Sequence, residues 1–175
     1  MLTASMLVMF STTAIAQEFT LSSPDIAEGE KLDQAFVFKG FGCEGGNISP
    51  QLSWTNAPEG TKSFALTVYD PDAPTGSGWW HWNVVNIPAT ASSLPKAANA
   101  QNLPKGVTEI RNDYGAAGFG GACPPPGEVH RYQFTIHALG VETLELPENA
   151  SNALAGFMIN ANSLESDKIT AIYYR

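Results

Sequence analysis

Apolar residues recur at every second position along much of the chain, a period that predicts a β-rich fold. The clearest run is Ser63–Asp70, where Phe64, Leu66 and Val68 alternate with Ala65, Thr67 and Tyr69. A second spans residues 130–139, with Tyr132, Phe134, Ile136 and Ala138 inward against Arg131, Gln133, Thr135 and His137. Residues 80–87 are apolar on both faces, as a central strand covered from two sides would be. Further strands are expected over 35–39, 51–55 and 168–174, and glycine- and proline-rich turns over 40–50, 71–78 and 115–127. One helix is expected over 149–161, following Pro147, with Leu154, Phe157, Met158 and Ala161 at helical spacing. The expected architecture is a β-sandwich or open β fold with one or two peripheral helices.

The chain of 175 residues suits one domain with a sizeable core. Its net charge of −8 is interrupted by no basic run, which excludes a phosphate-neutralising face for nucleic acid. Residues 1–16 carry no charge and end in Ala14-Ile15-Ala16, a small-x-small pattern that reads as a signal-peptide cleavage site although a basic n-region is lacking. The apolar stretch is too short to span a bilayer, so no transmembrane segment is expected in the mature chain. The expectation is a signal peptide over 1–16, one domain over 17–175, and a periplasmic or secreted location. In that compartment an even cysteine count favours a disulfide between Cys43 and Cys123, the alternative being two buried thiols.

Gly40-Phe41-Gly42-Cys43-Glu44-Gly45 spells a dinucleotide fingerprint, but Asn47-Ile48-Ser49-Pro50 follows where a helix would have to begin, so it reads as a turn. Asp70 is in phase with Phe64, Leu66 and Val68, which aims its carboxylate inward at a strand end. A buried carboxylate requires hydrogen bonds or a charge partner. His81 and His130 each open a strand, and Tyr132 is in phase with His130. Together these residues could form a pocket offering N–H and O–H donors to an anion. His137 falls out of phase with the core and reads as a surface residue. The spacing of histidines and cysteines supports no metal site, and no G-x-S-x-G nucleophile elbow is present.

The segments 64–88 (FALTVYDPDAPTGSGWWHWNVVNIP) and 118–139 (GFGGACPPPGEVHRYQFTIHAL) resemble the two signatures of the phosphatidylethanolamine-binding protein (PEBP) family, in its bacterial Raf-kinase-inhibitor-like branch of the YbhB/YbcL type. The resemblance runs from about residue 19 to residue 175. It implies a mainly β, PEBP-like fold, a large antiparallel sheet packed on a smaller one with peripheral C-terminal helices. It also implies a pocket formed by Asp70, Asp72, His81, Gly121, Cys123, Pro125, His130 and Tyr132, where relatives take phosphate or phosphorylethanolamine-type head groups. Ala122 stands where this branch usually has proline, which predicts a looser turn over 120–123. The expected partners are a small anion or phospholipid head group, with a protein partner or a second copy of the chain as further candidates. No cofactor is expected. The leading reading is a non-enzymatic binding protein, ahead of a kinase or protease regulator acting through the pocket rim. A hydrolase using His81 or His130 comes last, because no activated nucleophile is evident. Two aspartates beside an anion should repel it, so binding is expected to need protonated histidines and to strengthen as pH falls from about 7.5 to 5.5.

Overall fold

The computed structural model describes residues 17–175; the expected signal peptide lies outside them. The strands are β1 (Thr20–Ser22), β2 (Lys39–Gly40), β3 (Cys43–Glu44), β4 (Leu52–Thr55), β5 (Ser63–Asp70), β6 (Trp79–Pro88), β7 (Ser93–Leu94), β8 (Thr108–Glu109), β9 (Val129–Leu139) and β10 (Ser163–Tyr174). Helix α1 (Asn152–Asn162) lies between the last two strands. Five strands form a large antiparallel sheet in the order β10-β9-β5-β6-β8, and β1-β4-β7 form a smaller one. β2 and β3 make a separate hairpin. The mainly β architecture expected from the alternation is the one observed.

β5 occupies the middle of the large sheet, paired with β6 on one side and β9 on the other. Its two faces are both covered. On the inner face Phe64, Leu66 and Val68 pack with Trp82, Val84, Phe134 and Ile136 against Leu21, Leu52, Trp54 and Leu94 of the smaller sheet. Phe64 meets Phe19 and Trp54 at ring-centroid distances of 6.1 and 5.3 Å. On the outer face Ala65, Val85 and Leu139 lie under Ala155 and Ile159 of α1.

Three expectations change. His137 is half-buried on the outer face rather than on the surface, and burial lowers its pKa to about 4. Helix α1 turns Asn152, Ala155 and Ile159 inward, leaving Phe157 and Leu154 exposed. It begins later than expected because Ser151 is the N-cap, its hydroxyl accepting from the Leu154 N–H at 3.1 Å. The strand expected over 35–39 is instead a short 3₁₀ turn, Gln34–Phe36, because Asp33 Oδ1 accepts from the Ala35 N–H at 2.8 Å and curls the backbone.

The glycine-rich segment after β2 is a turn, with no helix following. Phe41 sits at its tip with φ +52°. A disulfide joins Cys43 in β3 to Cys123, 80 residues on. The turn at 120–123 is held firmly rather than loosened. Ala122 donates to the Phe36 carbonyl at 3.1 Å and accepts from the Phe38 N–H at 2.9 Å. The first of these bonds needs an N–H that proline lacks. Gly121 permits the close approach: a Cβ there would stand 2.5 Å from the Phe36 carbonyl oxygen.

Candidate functional site

The end of the large sheet where β5 finishes, β6 starts and β9 starts carries a cavity of about 240 Å³. Asp70 closes β5 in inward phase and is buried. Its Oδ2 accepts from His130 Nδ1 at 2.7 Å, and its Oδ1 accepts from the Asp72 N–H at 2.8 Å. His130 Nε2 donates in turn to Glu128 Oε2 at 3.0 Å. Burial opposes charge on the His130 ring, but hydrogen bonds to Glu128 and Asp70 outweigh it and raise the pKa. With a carboxylate on each nitrogen, this ring is built to be an imidazolium.

His81 is the opposite case. Its Nδ1 faces the Gly120 carbonyl at 2.7 Å, and a carbonyl can only accept, so Nδ1 carries the proton. Burial lowers the pKa of this ring, against smaller opposing effects from Gly120 and the Asp70 charge. Neutral His81 therefore presents a bare Nε2, which lies 4.0 Å from Asp70 Oδ2 and has no hydrogen-bond partner. A break in the β5–β6 register puts it there. Val68 pairs with Trp82 but Tyr69 pairs with Trp80, so His81 is the extra residue of a β-bulge. Strict alternation would have set His81 on the face opposite Trp82 and Val84.

The walls are mostly aromatic and proline. Phe41, Pro74, Trp79, Tyr114, Pro125 and Tyr132 line the cavity together with Ala73, Thr75 and Cys123. Tyr114 stacks on Phe38 at 3.8 Å between centroids, donates its hydroxyl to the Gly121 carbonyl at 2.9 Å, and meets Trp79 and His81 edge-on at 5.2 and 5.6 Å. Burial raises the pKa of both Tyr114 and Tyr132, so both are neutral phenols. Phe41 stands at the lip, 71% exposed, where the disulfide and the bond from Arg175 Nη1 to the Gly42 carbonyl (2.9 Å) fix its hairpin.

A family model described as phosphatidylethanolamine-binding protein matches residues 22–174. The chain belongs to the phosphatidylethanolamine-binding protein family. It is 52% identical to YbcL of Escherichia coli K12 over 177 aligned positions, covering 99% of this chain and 97% of that one. YbhB of the same organism is 51% identical over 155 positions, covering 87% and 98%. The crystal structure of E. coli YbcL, described as a member of the mammalian PEBP family, superposes with a TM-score of 0.88 at 56% identity, covering 91% of this chain and 99% of that one.

In this PEBP-family chain, six of the residues selected from the sequence share the cavity: Asp70, His81, Cys123, Pro125, His130 and Tyr132. Two do not. Asp72 turns away to Arg131, accepting from its backbone N–H, Nε and Nη2 at 2.9, 2.9 and 2.7 Å. The bonds to Arg131 hold the Asp72 pKa below the ordinary carboxylate range. Gly121 lies behind the wall, its N–H on Asn47 Oδ1 (2.8 Å) and its carbonyl on Tyr114. Phe41, Trp79, Tyr114 and Glu128 were not singled out as site residues. Trp79 and Phe41 carried a signal, being large aromatics at the start of β6 and inside the β2–β3 turn. Tyr114 lies in irregular chain, where no periodicity could have pointed to it.

Proposed function

We propose that this protein is a non-enzymatic binding protein that holds a small anion, of the phosphate or phosphoryl head-group type, in the cavity at the end of the large sheet. The observation that carries the reading is the meeting of Asp70, His81 and His130 at one solvent-open cavity of about 240 Å³, with His130 bonded at 2.7 Å to Asp70. The family's name refers to phosphatidylethanolamine, whose free head group, phosphorylethanolamine, is such an anion. The electrostatics are milder than the sequence implied, because Asp72 is neutralised outside the cavity by Arg131 and His130 offsets Asp70. Against catalysis, the aliphatic hydroxyl and the sulfur among the lining residues are both engaged: Thr75 donates to the Gly78 carbonyl at 2.5 Å and Cys123 is in the disulfide. Calorimetric titration with inorganic phosphate and with phosphorylethanolamine tests the reading. Saturable one-site binding by either supports it, and no heat with both overturns it.

A second reading is favoured by Phe41. An aromatic ring this exposed at a cavity lip suits contact with a protein, so the rim could serve a kinase- or protease-directed regulator. Loss of a partner from pull-downs on Phe41→Ser, with phosphate affinity unchanged, would select it. The disulfide fits export to an oxidising compartment. Cell fractionation that finds the protein and a fully reduced Cys43 in the cytoplasm would reject that location.

A further inference from the structure

Among the described residues, two that line the cavity each hold a buried polar atom without a partner, His81 Nε2 and Trp79 Nε1. Both rings pack edge-on against Tyr114. Their chemistry is complementary. The indole N–H can only donate, whereas His81 Nε2 can only accept while Nδ1 holds its proton on the Gly120 carbonyl. Asp70 Oδ2, 4.0 Å from that nitrogen, adds a second acceptor. Among the described residues the cavity lining includes no lysine or arginine, and both N–H groups of His130 are occupied by Asp70 and Glu128.

We infer that the cavity selects an oxyacid that still carries one hydrogen, a phosphate monoester or phosphonate as its monoanion, over a phosphodiester. This rests on the anion reading above. A P–OH group donates to His81 Nε2 while a neighbouring phosphoryl oxygen accepts from Trp79 Nε1, and both buried atoms are satisfied at once. A dianion sets charge against the His81 lone pair and the Asp70 carboxylate. A diester has no hydrogen to give. An organic ammonium could donate to His81 but could accept nothing from Trp79. The proton thus rides on the ligand and not on His81. The groups around that ring agree: Asp70 on β5, His130 and Tyr132 on β9, and Asp113, Tyr114 and the Gly120 carbonyl in the loops leave Nε2 without a donor.

The test is calorimetric titration of the intact protein with phenyl phosphate, methylphosphonate, dimethyl phosphate and ethanolamine across neutral pH. Phenyl phosphate and methylphosphonate are expected to bind. Each should lose affinity at its own second ionisation, so that the decline for the more basic phosphonate falls at higher pH. Dimethyl phosphate should bind at least ten-fold more weakly. Trp79→Phe, which keeps a ring but removes the donor, should weaken the monoester several-fold without moving its pH profile. Declines at one shared pH would place the proton on His81 and overturn the inference. Equal affinity for the diester, or saturable binding of ethanolamine alone, would also overturn it. Absence of binding by every phosphorus compound would instead remove the anion reading on which it stands.

Discussion

Asp70 and His130, 60 residues apart in sequence, are joined by a 2.7 Å bond between Oδ2 and Nδ1, and both side chains are almost wholly buried. Neither group is tolerated there alone, since an unpaired buried charge costs several kcal/mol. The Asp70 carboxylate helps hold the His130 ring in its charged form, and the cavity inherits an ordered pair.

Removing the imidazolium should therefore cost affinity. His130→Ala is expected to weaken phosphate binding by at least about 1 kcal/mol, roughly five-fold or more, because it leaves the Asp70 carboxylate beside the anion with no imidazolium to offset it. Isothermal titration measures it, with circular dichroism to check that Asp70, left unpaired, has not unfolded the sheet. An unchanged affinity would remove His130 from the site.

Asp72 should behave differently despite its place in the family signature. Its carboxylate is spent on Arg131 in a largely exposed pair. Such pairs contribute about 0–1 kcal/mol to stability. Asp72→Asn is expected to leave phosphate affinity within about two-fold, as the geometry of an outward-facing pair requires. A ten-fold loss in the same titration would show that Asp72 reaches the ligand.

Histidine protonation should give the stability curve two limbs. The folded His130 pKa stands above the ordinary value of about 6.5, so its contribution is complete below that pH and fades as pH rises through the folded value. His137 works in reverse. With its folded pKa near 4, the unfolded chain binds more protons than the native one between that value and about 6.5, and stability falls on acidification. At roughly 1.36 kcal/mol per unit the His137 limb amounts to about 3 kcal/mol when complete. Urea unfolding across this range should show His137→Gln flattening the acid limb, with lowered His81 supplying what remains, and His130→Gln flattening the alkaline one. Unaltered curves would contradict these environments.

The disulfide closes an 80-residue separation and anchors the lip that bears Phe41. On the chain-entropy view it contributes up to about 4 kcal/mol. Replacing both cysteines by serine should lower the urea midpoint and weaken phosphate binding, because Cys123 is itself part of the wall. Retained affinity with lost stability would confine the bridge to a folding role.

Much of the cavity could be read in advance because β5 and β9 are long and regular. Phase alone put Asp70, His130 and Tyr132 on the inner side. His81 could not be placed that way, since a bulge shifts its strand by one residue and periodicity cannot see the shift. β2, β3, β7 and β8 have two residues each, too few to display any period. Helix α1 misled because its inner face is set by what it covers. Ala65 and Val85 offer a shallow surface, and Trp80 packs beside Gly156, where a Cβ would stand in van der Waals contact with the indole at 3.4 Å. Small residues fit against that surface, and the larger Phe157 is turned out to solvent.

The position of β9, inserted between β5 and β10, governs the order in which the molecule can assemble. Residues up to 128 must be made before the strand that seals the sheet's centre exists. Pairings across such distances make for slow folding. The large sheet of this chain therefore cannot be completed until residue 139, the end of that strand, has left the ribosome.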